Sequence, residues 1–584
     1  MKKFLFPVLC SLLFSSCDFS NYVKQEKQYD FNTVFEKSEG TRTATYPEVI
    51  AYYKDLAAAY PSIKLLEMGE TDSGEPLHLA IFSKTGNFDL EQLRETHSIL
   101  MILNGIHPGE SDGIDASMML FRDLAQDSIH LPEQTIIAAI PVYNIGGALN
   151  RNSTTRTNQQ GPEEYGFRGN ARNFDLNRDF IKADSRNAQA FYDIFHYVAP
   201  DVFIDNHVSN GADYQYTLTH LFTQHNKLGG QLGEYLQNEM TPALEDALAK
   251  KDWDITPYVN VFNDVPENGF NQFMDYPRYA TGYAALWNTL GLMLETHMLK
   301  PYDQRVEGTY ELMRSLIDIT DEDSKVIKDL RAQAYRYQQE LDTFDFDFRV
   351  DSSNVTTLSF KGYQADVIES EVTGMDRLKY NRNLPFTKDV SYYNHFKPAK
   401  QVDIPEAYIV PAAWREVIER LELNGVEMSR FENDTVLTAE VYRIEDFDTR
   451  SAPYEGHYLH FNTQISSTSE EVQIRQGDYY ISTAQPARMY LLASLEPQAT
   501  DSFFNWNFFD SVLQQKEHFS SYVFEDIAAD LLEKDAELRE EFEAMKASNS
   551  GFAQNSYAQL NWIYQHSAHY ETSHKRYPIL RLHR

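Results

Sequence analysis

Five short apolar runs decide what this chain can fold into: residues 77–83, 98–103 (SILMIL), 134–142 (QTIIAAIPV), 201–205 (DVFID) and 289–294 (TLGLML). Each is too short for a typical helix and rich in Ile, Leu, Val or Met, the pattern of a strand buried on both faces. Between them, residues 47–60, 113–124 and 183–198 read as helices. Strands alternating with helices predict an α/β domain with a mostly parallel or mixed central sheet flanked by helices. In such sheets ligands bind beyond the carboxyl ends of the strands. Three of these runs end at residues with chemistry to offer: His107 and Glu110 in LNGIHPGESDG, His207 after DVFID, and Glu295 in GLMLETH.

Taken alone, His107-x-x-Glu110 is an ordinary loop pair. With His207 it becomes two imidazoles and a carboxylate, the donor set of a catalytic zinc site with one place left open. The cysteines, Cys10 and Cys17, both lie near the N-terminus, so any metal held by the body of the chain must use His, Asp or Glu. Glu295 ends a buried run of Leu and Met, where a carboxylate is rarely left without a task. A general base that shuttles a proton is the natural reading.

With 52 Lys+Arg against 87 Asp+Glu, a formal net charge of -35, the chain is a poor match for nucleic acid, which needs clustered cations. Its first residues, MKKFLFPVLCSLLFSSC, combine two lysines with an apolar stretch too short to span a bilayer, the form of a secretory signal. The end of that stretch resembles a bacterial lipobox. Residues 1–17 are therefore expected to be a lipoprotein signal with Cys17 lipidated, and residues 18–40 a tether to the cell envelope. A soluble secreted protein cleaved near Ser16 is the alternative.

Between the strand ends lies RGNARNFDLNRDF, residues 168–180, within a polar segment (144–179) too long for a plain connector. This string resembles the R-x-N-A-x-x-x-D-L-N-R-x-F signature of zinc metallocarboxypeptidases, closest to the branch of carboxypeptidases N, E, D and M. The order HxxE, arginine string, His, Glu is also that family's, and the likeness covers about residues 47–341. It implies that His107, Glu110 and His207 bind one zinc ion and that Asp175 orients His107. It further implies that Asn177 and Arg178 grip the C-terminal carboxylate of the substrate. Arg168 would stabilise the oxyanion, and Glu295 would be the catalytic base. A free carboxylate is well held by a guanidinium and an amide donor. Arg156 and Arg172 have no secure counterpart. His207 stands in DNHVSNG, away from the small residues expected beside it. The family's mobile tyrosine has three candidates, Tyr276, Tyr279 and Tyr283, of which Tyr283, next to Gly282, is favoured as substrate-binding.

The expected organisation is thus a catalytic domain over residues 41–341 and a separate α+β domain of unknown role over 342–584. His566, His569, His574 and His583 have irregular spacings and no carboxylate pattern, and read as stray histidines. The expected activity is removal of C-terminal residues from peptides or peptidoglycan stems. A zinc amidohydrolase or deacylase of the same fold, or a non-catalytic binding lipoprotein, are the alternatives. Residues 277–294 carry no acid and one cation, Arg278. Uncharged C-terminal residues are therefore expected over basic ones, unless another loop supplies the acid.

Overall fold

The structure, a computed structural model, describes residues 29–583. The expected signal, the Cys17 lipidation site and the first part of the tether lie outside the described residues. Among the described residues no helix is long and apolar enough to cross a membrane.

Nine strands occur in the first part of the chain: β1 (Ile63–Glu70), β2 (Pro76–Phe82), β3 (Ser98–Leu103), β4 (Thr135–Ile140), β5 (Val202–Ser209), β6 (Leu218–Phe222), β7 (Ile255–Pro257), β8 (Phe270–Asn271) and β9 (Leu290–His297). All but β8 form one mixed eight-stranded sheet in the order β1-β2-β4-β3-β5-β9-β6-β7. The contiguous strands β4, β3, β5 and β9 run parallel. β3, β4 and β5 are buried at every position, as their unbroken apolar runs require. Helices Tyr46–Ala59, Asp112–Ala125, Arg186–Val198 and Tyr302–Glu322 flank the sheet. The α/β class and the mixed sheet are as expected from the sequence.

Two boundaries differ. The stretch expected to be a tether already packs within the described residues: Val34–Lys37 is a helical turn, and its buried Phe35 meets the Tyr302 ring edge-on at 5.7 Å between centroids. An aromatic side chain with a buried face to reach does not stay in solvent. The region after residue 341 also does not stand apart. One continuous buried cluster joins Leu103 and Phe203 of the sheet to Tyr490 and Trp506, and β8 pairs in parallel with strand Asp376–Tyr393.

The packed N-terminal segment ends beside an unusual acid. Asp115 is fully buried, accepts from the Tyr302 hydroxyl at 2.5 Å, and is reached by the Ala44 N–H at 3.5 Å. Burial pushes its carboxyl from 3.8 up to about 7, against the Thr43 and Tyr302 hydrogen bonds. Between about pH 4 and 7 the folded chain thus holds a proton that the unfolded chain has released, and stability falls as pH rises through that window. Asp115→Asn is expected to remove this share of the pH dependence, worth a few kcal/mol at most. Thermal unfolding at pH 5 and pH 8 checks it; an unchanged pH dependence would place the proton elsewhere.

Candidate active site

The parallel strands β3, β5 and β9 bring their carboxyl ends to one place. Leu103 is in register with Asp205, and His207 with Glu295. His107 follows β3 in a turn closed by the Glu110 N–H, which donates to the His107 carbonyl at 2.8 Å. Gly109 in this turn has a specific reason: a Cβ there would stand 2.5 Å from Cδ of Arg156 and 2.9 Å from the Gly166 carbonyl. Any larger residue would push the arginine away.

Nδ1 of His107 lies 3.2 Å and Nδ1 of His207 3.0 Å from Oε2 of Glu110. Ligand atoms of all three residues fall within 4.8 Å of one another, and all three side chains are buried. The outer nitrogens face carboxylates: Nε2 of His107 is 2.9 Å from Oδ1 of Asp175, and Nε2 of His207 is 2.9 Å from Oδ2 of Asp205. A carboxylate behind a histidine fixes the tautomer that leaves the other nitrogen free for a metal. Burial opposes ionisation of Glu110, yet His107 and Arg156 hold its carboxyl well below the usual carboxylate range. An anion between two oriented imidazoles, with open space beyond, fits a divalent cation such as zinc.

These residues stand in the wall of a cavity of about 500 Å³, which Glu295, Arg168, Asn177, Arg178 and Tyr279 also line. Burial pushes the Glu295 carboxyl up to about 8, with His207 opposing and Glu110 adding to the rise. Its Oε2 is buried without a hydrogen-bond partner. Arg168 is half-exposed and donates from Nε to Oδ2 of Asp175 at 3.0 Å. Arg178 stacks its guanidinium 4.8 Å from the Tyr279 ring centroid and donates to the Asn177 carbonyl at 2.7 Å. Burial opposes it, but His107, Arg168 and Arg178 keep Asp175 an anion far below the usual range.

Residues from beyond 341 pack against this arginine segment and its neighbours. Oε2 of Glu455 accepts from the Asp175 N–H at 2.7 Å, Asp184 pairs with both Arg420 and His457, and the buried Trp506 lies within cation–π range of Lys182 and Arg278.

No family model matches the chain. Among curated proteins, carboxypeptidase 2 of Trichophyton rubrum is 22% identical over 430 residues, spanning 68% of this chain and 72% of that protein. The probable carboxypeptidase 2 of Arthroderma benhamiae is 22% identical over 426 residues, or 68% of this chain and 73% of that protein. Among solved structures, a metallo-carboxypeptidase from Burkholderia cenocepacia has 17% identity and a TM-score of 0.37, covering 48% of this chain and 70% of that one. Carboxypeptidase A from Helicoverpa armigera has 15% identity and a TM-score of 0.36, covering 48% and 74%. The chain resembles the metallocarboxypeptidases.

Of the residues singled out from the sequence, His107, Glu110, His207, Glu295, Arg168, Asn177 and Arg178 line the one cavity, and Asp175 stands behind His107. Tyr283 does not join them. It is fully buried, stacks on Tyr192 at 5.1 Å and donates its hydroxyl to Asn424 at 2.6 Å. It lies in helix Ala280–Ala285, turned into the core, whereas Tyr279, just before that helix, faces the cavity. Of the three tyrosines weighed from the sequence, Tyr279 is thus the one that lines the cavity, together with Tyr258. Arg156, left aside for want of a counterpart, donates from Nη2 to Oε1 of Glu110 at 2.8 Å and is braced by Gln159 at 2.6 Å. Asp205, behind His207, was not singled out from the sequence; strand alternation would have pointed to it, two residues before His207 on the same face. Arg278, a candidate pocket cation, is instead paired with Asp501 at 2.7 Å and is not among the cavity residues.

Proposed function

We propose that this protein is a zinc metallocarboxypeptidase that hydrolyses the C-terminal peptide bond of peptides or peptidoglycan stem peptides. The observation that carries this reading is the meeting of two unlike functions in one cavity. His107, Glu110 and His207 converge on a point that suits a cation, and Arg178 and Asn177 stand in the same wall, where a substrate's free carboxylate can be gripped.

His107 and His207, oriented by Asp175 and Asp205, would hold the zinc ion together with Glu110. When bound, the ion would act as a Lewis acid that activates a water and polarises the scissile carbonyl. Glu295 takes a proton from the attacking water and passes it to the departing amine nitrogen. Its raised affinity for protons suits the first half of that task, and its unpartnered Oε2 leaves the atom free for it. Arg168 places a cation where negative charge develops on the carbonyl oxygen. Arg178, steadied by its stack on Tyr279, sets where the chain must end. The same reading extends to the N-terminus: a lipid anchor at Cys17 would place the enzyme in a bacterial cell envelope.

Arg178→Ala is expected to raise KM by about tenfold or more for peptides with a free C-terminus, the cost of losing a charge-assisted clamp. It should matter little for C-terminally amidated peptides. Comparing steady-state kinetics on matched free and amidated peptides checks this. Equal losses on both would favour an amidase or an endopeptidase.

A further inference from the structure

The carboxylate of Glu110 is divided between two kinds of neighbour. Oε2 faces Nδ1 of both imidazoles and accepts from the Val208 N–H at 3.0 Å. Oε1 instead accepts from Nη2 of Arg156 at 2.8 Å. Arg168 comes no nearer to Oε1 than 3.7 Å, and its guanidinium is paired with Asp175. Arg156 is itself held on several sides. Its Nε donates to Oε1 of Gln159 at 2.6 Å, and its backbone N–H to the Tyr165 hydroxyl at 3.1 Å. Gln159 in turn donates to the carbonyls of Gly109 and Gly161 at 2.8 and 3.0 Å. The arginine side chain is 13% exposed, and its stem lies in the space that Gly109 leaves. A long side chain braced in this way has already given up most of its rotamer freedom. Its contact with Oε1 is built into the site.

We infer that Arg156 is a positioning residue: by keeping Oε1 of Glu110 occupied it lets this carboxylate meet the metal through Oε2 alone, and so sets which divalent cation the site prefers. This rests on the metal site of the reading above and concerns the ion rather than the peptide. Two imidazole nitrogens and one carboxylate oxygen leave one place open in a four-coordinate site, which suits zinc. A carboxylate free to use both oxygens adds a ligand. It then favours cations that take more oxygen donors, such as manganese(II). Partners behind a ligand change metal affinity by about 10–100-fold. Coulomb repulsion between the guanidinium and the ion opposes binding, but it is the same for any divalent cation at that place. It therefore cancels in a ratio of two affinities, whereas the number of carboxylate oxygens on the ion does not.

The test is the ratio of zinc to manganese(II) affinity of the full chain. Zinc is measured by competition against a chromophoric chelator, and manganese by the spin resonance of the free ion. Arg156→Met should lower the ratio about tenfold or more. Arg156→Lys, which keeps a donor for Oε1, should restore most of it. Gln159→Leu removes the brace of the arginine and should shift the ratio in the same direction by less. That variant decides the matter if the methionine variant fails to fold. If Arg156→Met changes both affinities by one factor, the arginine only supports the fold. If it leaves both alone and raises KM, the arginine touches the peptide. Either result overturns the inference. A parent chain that binds zinc but releases no terminal residue would overturn the carboxypeptidase reading instead, and the ratio would still decide this inference.

Discussion

Glu295→Gln is expected to lower kcat by about two orders of magnitude or more, the usual contribution of a positioned general base. The substitution keeps the shape of the side chain and its place at the end of β9, and removes only its capacity to take a proton. KM and zinc content should therefore stay close to those of the parent chain. Glu295 has the features of a dedicated base: it is 9% exposed, raised to about 8, and has an oxygen without a partner. Stopped-flow or steady-state rates on a metal-replete variant, with zinc measured on the same sample, provide the check. A near-normal rate would assign the base elsewhere.

His207→Ala is expected to be as damaging by a different route. With one imidazole gone, Asp205 and Glu110 lose the group that lies between them, and two ligands remain where a catalytic site needs three. Zinc should fall from one per chain to well below it on dialysis, and hydrolysis should vanish with it. A second readout does not depend on turnover. Added zinc should raise the thermal midpoint of the parent chain, because a ligand bound only by the folded state stabilises it. The midpoint of the variant should not move. Full zinc occupancy in His207→Ala, measured by elemental analysis, would show that the ligand set is wrong.

What could be read from the sequence follows from how each feature is encoded. β3, β5 and β9 are continuous apolar runs because both faces of a parallel sheet are covered, so their ends, and the His and Glu residues there, stand out without any structure. The arginine segment was legible as a string because Arg168, Asn177 and Arg178 come from one short stretch of chain and line one cavity. Tyr279 and Tyr283 were not distinguishable, since four residues of a Tyr- and Ala-rich segment look alike until the start of a helix fixes which ring turns inward. Contacts such as Glu455 with the Asp175 N–H join positions 280 residues apart in the chain, and no local pattern records them.

That last contact bears on how the chain could have been assembled over time. Appended modules are usually detachable, joined by linkers and free to be exchanged or lost. Here the later half of the chain supplies Glu455 to the segment that carries Arg168, Asp175 and Arg178, and His457 and Trp506 to Asp184 and Lys182 just after it. A chain ending near residue 341 would leave the Asp175 N–H and the Lys182–Asp184 cluster facing water, with the arginine segment unsupported on that side. The two halves are thus bound to a common fate: a change that loosens one reaches the cavity residues of the other, and neither can be traded for a foreign part without rebuilding their shared seam.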